Sequence, residues 1–218
     1  MLHLALNQPD RLQRLLCIGA HCDDIEIGCG GTLLALLAAN PRVAVDWVVF
    51  SSDPAREREA RASAAHFLGG AKDHRVMIQQ FRNGYFPSVA ANIKDFFEQL
   101  KTTSKPDLVL THHRGDFHQD HRLLAELTWN TFRNHLILEY EIPKYDGDLG
   151  RPNVFVPLPD EIRTHKVDLV LRHFATQRGK PWWSAETFNA LMRLRGIECN
   201  AASGYAEAFF GMKVALSI

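Results

Sequence analysis

Two short clusters of histidine and acidic side chains are the part of this sequence best suited to chemistry. The first cluster reads His-Cys-Asp-Asp and ends at Asp24, and the second ends at His121. Imidazole nitrogen and carboxylate oxygen are ligands that zinc favours, and catalytic zinc sites typically use three protein ligands and leave one position open. His21, Asp24 and His121 would supply such a set, and Asp23 would remain beside them as a base.

Both clusters follow short apolar segments that we predict to be buried strands. The chain alternates such segments with helical patterns, which indicates an α/β fold with a Rossmann-like parallel sheet of order 3-2-1-4-5, flanked by helices. In this order the first and fourth strands are neighbours, so both clusters would lie in the crevice at the carboxyl ends of the strands. The predicted strands are 15–20, 43–50, 76–81 and 108–111, and the predicted helices are 31–39, 55–68, 89–100 and 119–132.

The sequence after residue 136 is less regular. Residues 137–142 and 154–156 are candidate strands, and two amphipathic helices are expected after them. The length of 218 residues suits one domain with a substantial core. We therefore expect a single domain over residues 1–218, with a less regular C-terminal extension.

Composition excludes several classes of partner. The 25 basic and 25 acidic side chains cancel, so no general field would hold nucleic acid or an anionic membrane. The four cysteines form no C-x-x-C pair, which fits reduced thiols in the cytoplasm. The segment around Asp10 lacks the pattern of a signal peptide, and no apolar run approaches the roughly 20 residues of a membrane span. The expected partner is a small-molecule substrate, while homo-oligomer formation stays open.

Several motifs together resemble the PIG-L/LmbE family of zinc-dependent N-deacetylases. A-H-x-D-D-x-E matches residues 20–26, a glycine-rich segment follows at 28–31, and H-x-D-H matches 118–121. The likeness continues at four further places and so touches nearly the whole length. These are Arg56-x-x-Glu59, Pro106-Asp107, His173-x-x-x-Gln177 and the segment from Tyr205 to Phe209.

The resemblance implies a role for each candidate residue. It implies Asp23 as general base, His118 as the group that stabilises the tetrahedral intermediate, and Asp120 as a residue that orients or charge-balances His118. Arg56 would contact the substrate, which is expected to be an N-acetylated amino sugar similar to N-acetylglucosamine, or its small-molecule conjugate. The implied zinc ligands are His21, Asp24 and His121.

Three departures from the family pattern affect this interpretation. Cys22 stands where proline is usual, and it could add a competing thiolate. Asn83 replaces an acidic residue that many relatives have. The R-x-x-E match lies one residue off its usual distance, which leaves Arg58 as an alternative to Arg56.

Other functions remain open at this point. An ester or phosphoester hydrolase would keep the metal, although two-metal phosphoester sites need further carboxylates. Gly28-Cys-Gly30 after a strand, with Asp53 later, is also compatible with a nucleotide-binding Rossmann oxidoreductase. Leu33 at the sixth position and the acidic turn disfavour it. Trp182 and Trp183 are either core residues or a surface on which a sugar ring stacks.

Overall fold

The computed structural model describes residue 5 and residues 12–215, and Asp10 with its neighbours lies outside them. A seven-stranded sheet runs through the described part. No helix within the described residues is long and apolar enough to cross a membrane.

Five of the seven strands are parallel to one another and lie in the predicted order. All but the strand at the edge are short, largely apolar runs, and the side chains of each strand alternate between the two faces of the sheet. These strands are β1 (Arg14–Gly19), β2 (Ala44–Val49), β3 (Asp73–Ile78), β4 (Leu108–His112) and β5 (Leu136–Tyr140). Because β1 and β4 are paired in parallel, the segments that follow them leave the same edge of the sheet side by side.

Helices cover both faces of the sheet. Leu15 and Cys17 of β1 face one layer, and Leu16 and Ile18 face the other. The first layer contains α1 (Asp24–Ala39), α2 (Pro54–Phe67), α5 (Asp160–His173) and α6 (Ala185–Glu198), and the second contains α3 (Ala90–Thr103) and α4 (Gln119–Thr131). The two apolar layers fix the directions in which the loops at the carboxyl edge leave the strands.

Two further strands complete the sheet, of which the first lies at the candidate strand 154–156 and the second was not predicted. Strand β7 (Ala206–Gly211) lies antiparallel between β5 and β6 (Val154–Pro157). A buried acid, Glu207, interrupts the apolar pattern of β7, which explains why this strand was not predicted. Its carboxylate accepts the backbone N–H groups of Gly31 and Thr32 in α1, at 2.9 and 2.6 Å. Tertiary hydrogen bonds therefore place this acid inside the sheet.

Helix α1 begins at Asp24, so the predicted start at residue 31 was wrong. Glycine disfavours helices because it has more conformational freedom to lose, and the glycines at 28, 30 and 31 therefore suggested a loop. In the fold, a Cβ atom at Gly28 would overlap the ring of Tyr140, and one at Gly30 would lie 2.7 Å from Phe67. Close packing outweighs local propensity here.

Strand β3 was also displaced in the prediction, which placed it at 76–81. It starts at Asp73 and pairs with β2 along its whole length. Its first three residues are exposed at the edge of the sheet. These polar residues gave no apolar signal, which explains the late predicted start.

Candidate metal centre

The turn after β1 brings His21 and Asp24 together. Asp24 is the first residue of α1, and its Oδ2 atom accepts the backbone N–H of His21 at 2.6 Å. This hydrogen bond closes the turn and directs the imidazole and the carboxylate into the same cleft. Both residues are buried.

The loop after β4 supplies His118 and His121 from the beginning of α4. Asp116 in this loop accepts the backbone N–H of His118 at 2.7 Å, which fixes how the chain enters the helix. His121, in the first turn of α4, is buried against the turn that carries His21.

Three donor atoms from the two loops form a small triangle. His21 Nδ1 lies 3.1 Å from His121 Nε2 and 3.3 Å from Asp24 Oδ2, and the third side, from His121 Nε2 to Asp24 Oδ2, measures 3.5 Å. Atoms that bind a tetrahedral zinc ion at about 2.0–2.1 Å lie about 3.4 Å apart. The spacing and the chemistry of these donors therefore fit a zinc ion.

Each imidazole of the triangle has a carboxylate on its other nitrogen. His121 Nδ1 lies 2.9 Å from Asp116 Oδ2, and His21 Nε2 lies 3.4 Å from Asp120 Oδ2. Histidine ligands of metals usually donate their second N–H to such a group, which fixes the ring and leaves the first nitrogen free to bind. The sequence analysis missed Asp116, although its position in the loop before His121 could have suggested it.

Asp120 contacts His21 through its side chain, while its charge also acts on His118 and raises the pKa of that ring against the larger lowering by burial. Its carboxylate contacts His21 rather than the ring of His118, and it also accepts the backbone N–H groups of Gly84 and Phe86 at 2.6 and 3.1 Å. Only the backbone N–H of Asp120 reaches His118, where it donates to Nδ1 at 3.2 Å. The side chain of Asp120 therefore orients His21 and holds the loop that contains Asn83.

Two further imidazoles adjoin the triangle and give overlapping groups of potential ligands, His21–His118–His121 and Asp24–His112–His121. A hydrogen bond distinguishes His112 from the triangle. The Ala20 N–H donates to His112 Nε2 at 2.9 Å, so the lone pair that would bind an ion is occupied. His113 lies elsewhere, hydrogen-bonded to Glu139 and stacked on Phe210.

The electrostatics of the triangle favour a cation between the two rings. Burial opposes ionisation of Asp24, but the surrounding imidazoles outweigh it and hold its pKa well below the usual value. Burial also disfavours charge on His21, yet Asp24 raises the pKa of that ring to about 9. Burial lowers the pKa of His121 to about 3. Asp24 is thus held as the carboxylate and His121 as the neutral imidazole, the forms in which both can bind a metal ion, and an ion bound there would displace the proton from His21.

Asp23 lies beside the triangle and is paired with Arg56. Arg56 Nη2 donates to Asp23 Oδ1 at 2.7 Å. Burial raises the pKa of Asp23, and the Arg56 charge partly offsets this effect. Arg56 Nε is buried and has no partner among the described residues. Arg58, the sequence alternative, is exposed on α2.

A cleft of about 230 Å³ opens onto these groups. Asn83, Tyr145 and Trp182 form part of its wall, together with Lys144 and Lys180. The two tryptophans have different environments, because Trp182 lines the cleft and Trp183 is buried in the core. The sequence analysis had not singled out Tyr145 or the two lysines, whose segments carry no recognisable motif.

Cys22 does not face the triangle. Its thiol is buried and donates to the carbonyl oxygen of Ser51 at 3.4 Å. Burial raises the pKa of this thiol to about 12. The cysteine in place of proline therefore adds no thiolate to the candidate metal centre.

Comparison with known proteins identifies the family. The PIG-L family model, described as GlcNAc-PI de-N-acetylase, matches residues 16–132, and the chain belongs to this family of deacetylases. The chain is also 28% identical to YaiS of Escherichia coli K12, described as an uncharacterized deacetylase, over 183 residues that cover 77% of this chain and 94% of that protein.

Two solved structures illustrate how widely the fold is used. N,N'-diacetylchitobiose deacetylase from Pyrococcus horikoshii has a TM-score of 0.68 at 20% identity, covering 95% of this chain and 86% of its own. The 4-carboxy-2-hydroxymuconate hydratase GalB from Pseudomonas putida KT2440 has a TM-score of 0.64 at 18% identity, covering 95% and 99%. At these identities the likeness establishes the fold alone.

Proposed function

We propose that this protein is a zinc-dependent hydrolase that removes the acetyl group from an N-acetylated amino sugar similar to N-acetylglucosamine, or from its small-molecule conjugate. Membership of a deacetylase family supports the reaction class. The observation that carries the proposal is the triangle of His21 Nδ1, Asp24 Oδ2 and His121 Nε2, whose sides measure 3.1 to 3.5 Å, with Asp23 beside it.

His21, Asp24 and His121 would hold the zinc ion. A zinc ion held by these residues would supply Lewis-acid chemistry, polarising the amide carbonyl and making a water molecule at the site far more acidic than bulk water. Asp116 and Asp120 keep the two imidazoles in the required tautomers through the contacts on their outer nitrogens.

Asp23 would act as general base. Arg56 holds its Oδ1 atom, so Oδ2 is left to accept the proton of the attacking water. Burial raises the pKa of this carboxyl group toward the range in which it can both accept and release a proton. Asp23 would then pass the proton to the leaving amine.

His118 would stabilise the developing oxyanion as a neutral donor. Because its Nδ1 accepts a backbone N–H, the proton of the neutral ring is on Nε2. Burial and the neighbouring His21 lower the pKa of His118, and a divalent cation nearby would lower it further because like charges repel. Hydrogen-bond donation by the neutral ring is therefore favoured over the charged imidazolium.

The experiment is an assay of zinc-loaded protein with a panel of N-acetylated sugars and sugar nucleotides, in which both freed amine and acetate are measured. Release of the two products in equal amounts, with about one zinc per chain, is expected. Matched acetate and phosphate esters test the alternative hydrolases. Because a hydratase shares this fold, addition of water to an unsaturated carboxylate, without release of acetate, would contradict the proposal.

A further inference from the structure

Part of the cleft wall is formed by a turn that carries Lys180 and Trp182, separate from the loops that follow β1 and β4. The Lys180 N–H donates to the Gln177 carbonyl, and the Trp183 N–H donates to the Lys180 carbonyl, each at 3.0 Å. The preceding Thr176 donates from its backbone and hydroxyl to Glu59 of α2, at 2.9 and 2.6 Å. The turn is therefore fixed to the same helix whose Arg56 holds Asp23.

The charges of the three cationic side chains in the cleft wall are compensated unequally. Arg56 pairs with Asp23 at 2.7 Å. Lys144 pairs with Asp148 at 2.5 Å and with Asp116 at 3.0 Å. Within residues 12–215, no carboxylate lies within ion-pair distance of Lys180. Lys180 is thus the cleft cation with no carboxylate in contact, although its charge lowers the pKa of Asp23 from a distance, and its ammonium group is left to contact a ligand.

Aromatic rings shape the position of this ammonium group. Lys180 Nζ lies 5.1 Å from the centroid of the Trp182 ring, and Tyr145, which is 71% exposed, meets Trp182 edge-to-face at 6.3 Å. Lys180 itself is half-buried. A half-buried ammonium on an aromatic surface has lost part of its hydration, so an anionic partner would be bound more strongly there than at an exposed lysine.

We propose that Lys180 is a specificity-determining residue that binds an anionic group of the substrate, a phosphate or carboxylate attached to the N-acetylated amino sugar. This inference rests on the proposed function. The ammonium and the candidate metal centre line one cleft, so a single small molecule can present its amide to one and its anionic group to the other. Trp182 would pack beside the apolar part of the same ligand.

The test compares kcat/KM of zinc-loaded Lys180→Met and wild-type protein on matched substrates. The anionic substrates are N-acetylglucosamine 6-phosphate, N-acetylglucosamine 1-phosphate and N-acetylmuramic acid, and the neutral one is methyl N-acetylglucosaminide. Loss of a charge-assisted hydrogen bond should lower kcat/KM about 10- to 100-fold for the preferred anionic substrate. The neutral substrate should change by less than about twofold, since it has no charge for Lys180 to bind.

Two further variants control for general effects of charge. Lys105→Met removes one exposed lysine near the opposite edge of the sheet and should leave the anionic preference intact. Lys180→Arg keeps the positive charge and should retain most of the preference for anionic substrates. The substrate whose kcat/KM falls more in Lys180→Met, the phosphate or the carboxylate, identifies the anionic group that Lys180 binds.

Equal losses on anionic and neutral substrates, or no anionic preference in the wild type, would overturn the inference while leaving the proposed function in place. If none of the substrates is deacetylated, the proposed function fails, and calorimetry with the same sugars decides the inference separately. Wild-type protein should then bind an anionic sugar more tightly than Lys180→Met does. Equal affinities of the two proteins for that sugar would overturn the inference.

Discussion

Buried carboxylates occur in two regions of this sheet, and their partners differ. In β2, Asp46 is fully buried and is held by Arg14 at 3.3 Å, Arg75 at 3.1 Å and Ser104 at 2.5 Å. At the carboxyl edge, Asp24, Asp116 and Asp120 each contact a histidine ring and accept backbone N–H groups as well. The first arrangement satisfies its acid with permanent cations. The second leaves imidazole nitrogens facing one another.

This difference separates a structural ion pair from a candidate metal centre. Guanidinium groups only donate hydrogen bonds and stay protonated, so they complete the network around Asp46 without offering a lone pair. A neutral imidazole that donates from one nitrogen keeps a lone pair on the other. At the carboxyl edge two such lone pairs and one carboxylate oxygen point to the same place, where a cation would satisfy all three. Substitutions in the two regions should therefore have different consequences.

The largest effect is expected from His121→Ala. This change removes one corner of the triangle, so bound zinc should fall from about one per chain to near zero, and deacetylation should fall more than about 10³-fold. Metal analysis and turnover measure the two effects. His113→Ala is the matched control, because His113 belongs to the same loop but bonds to Glu139 instead. Equal zinc loss in both variants would contradict the assignment of the triangle.

Asp23→Asn should have the next largest effect. The amide is similar in size but cannot accept a proton from water, so kcat should fall about 10²- to 10⁴-fold while zinc stays bound. Retained metal distinguishes this result from that of His121→Ala. Asp73→Asn, at an exposed position that starts β3, controls for loss of a negative charge. Near-normal turnover in Asp23→Asn would exclude Asp23 as the base.

Asp116→Asn should weaken the centre without abolishing it. The amide can no longer stabilise the His121 ring as a carboxylate does, and loss of such support typically lowers metal affinity about 10- to 100-fold. A zinc titration against a competing chelator measures this shift, and most of the turnover should return at saturating zinc. Asp148→Asn is the control, since Asp148 shares Lys144 with Asp116 but does not contact His121. Unchanged zinc affinity in Asp116→Asn would contradict this role.

Strand order was the part of the fold most accessible from sequence. Apolar runs and helical spacing were enough to predict β3-β2-β1-β4-β5, and this order alone requires the loops after β1 and β4 to be neighbours. Elements defined by tertiary contacts were harder to predict. Gly28 lies in a helix because it packs against Tyr140, and Glu207 lies in a strand because it binds backbone N–H groups of α1. Neither contact has a local signature.

The same limit applies to the candidate site. Residue type and spacing were sufficient to nominate His21, Asp24 and His121. The hydrogen bond of Asp120 to His21 could not be derived in that way, because it joins two segments about 100 residues apart and the resemblance related Asp120 only to His118. Lys180 also gave no local signal, since its relevance depends on which carboxylates already pair with Arg56 and Lys144.

The smallest effect on catalysis is expected from Asp46→Asn. Removing the charge leaves Arg14 and Arg75 without their buried partner, but both arginines are partly exposed, so water can replace much of what they lose. The variant should lose about 1–3 kcal/mol in the free energy of unfolding, measured by denaturant titration. Zinc affinity and kcat/KM should stay within about twofold of wild type, because no described contact links Asp46 to the triangle. A loss of zinc affinity comparable to that in Asp116→Asn would mean that the two groups of buried acids are coupled, and that the distinction between a structural and a metal-binding region does not hold.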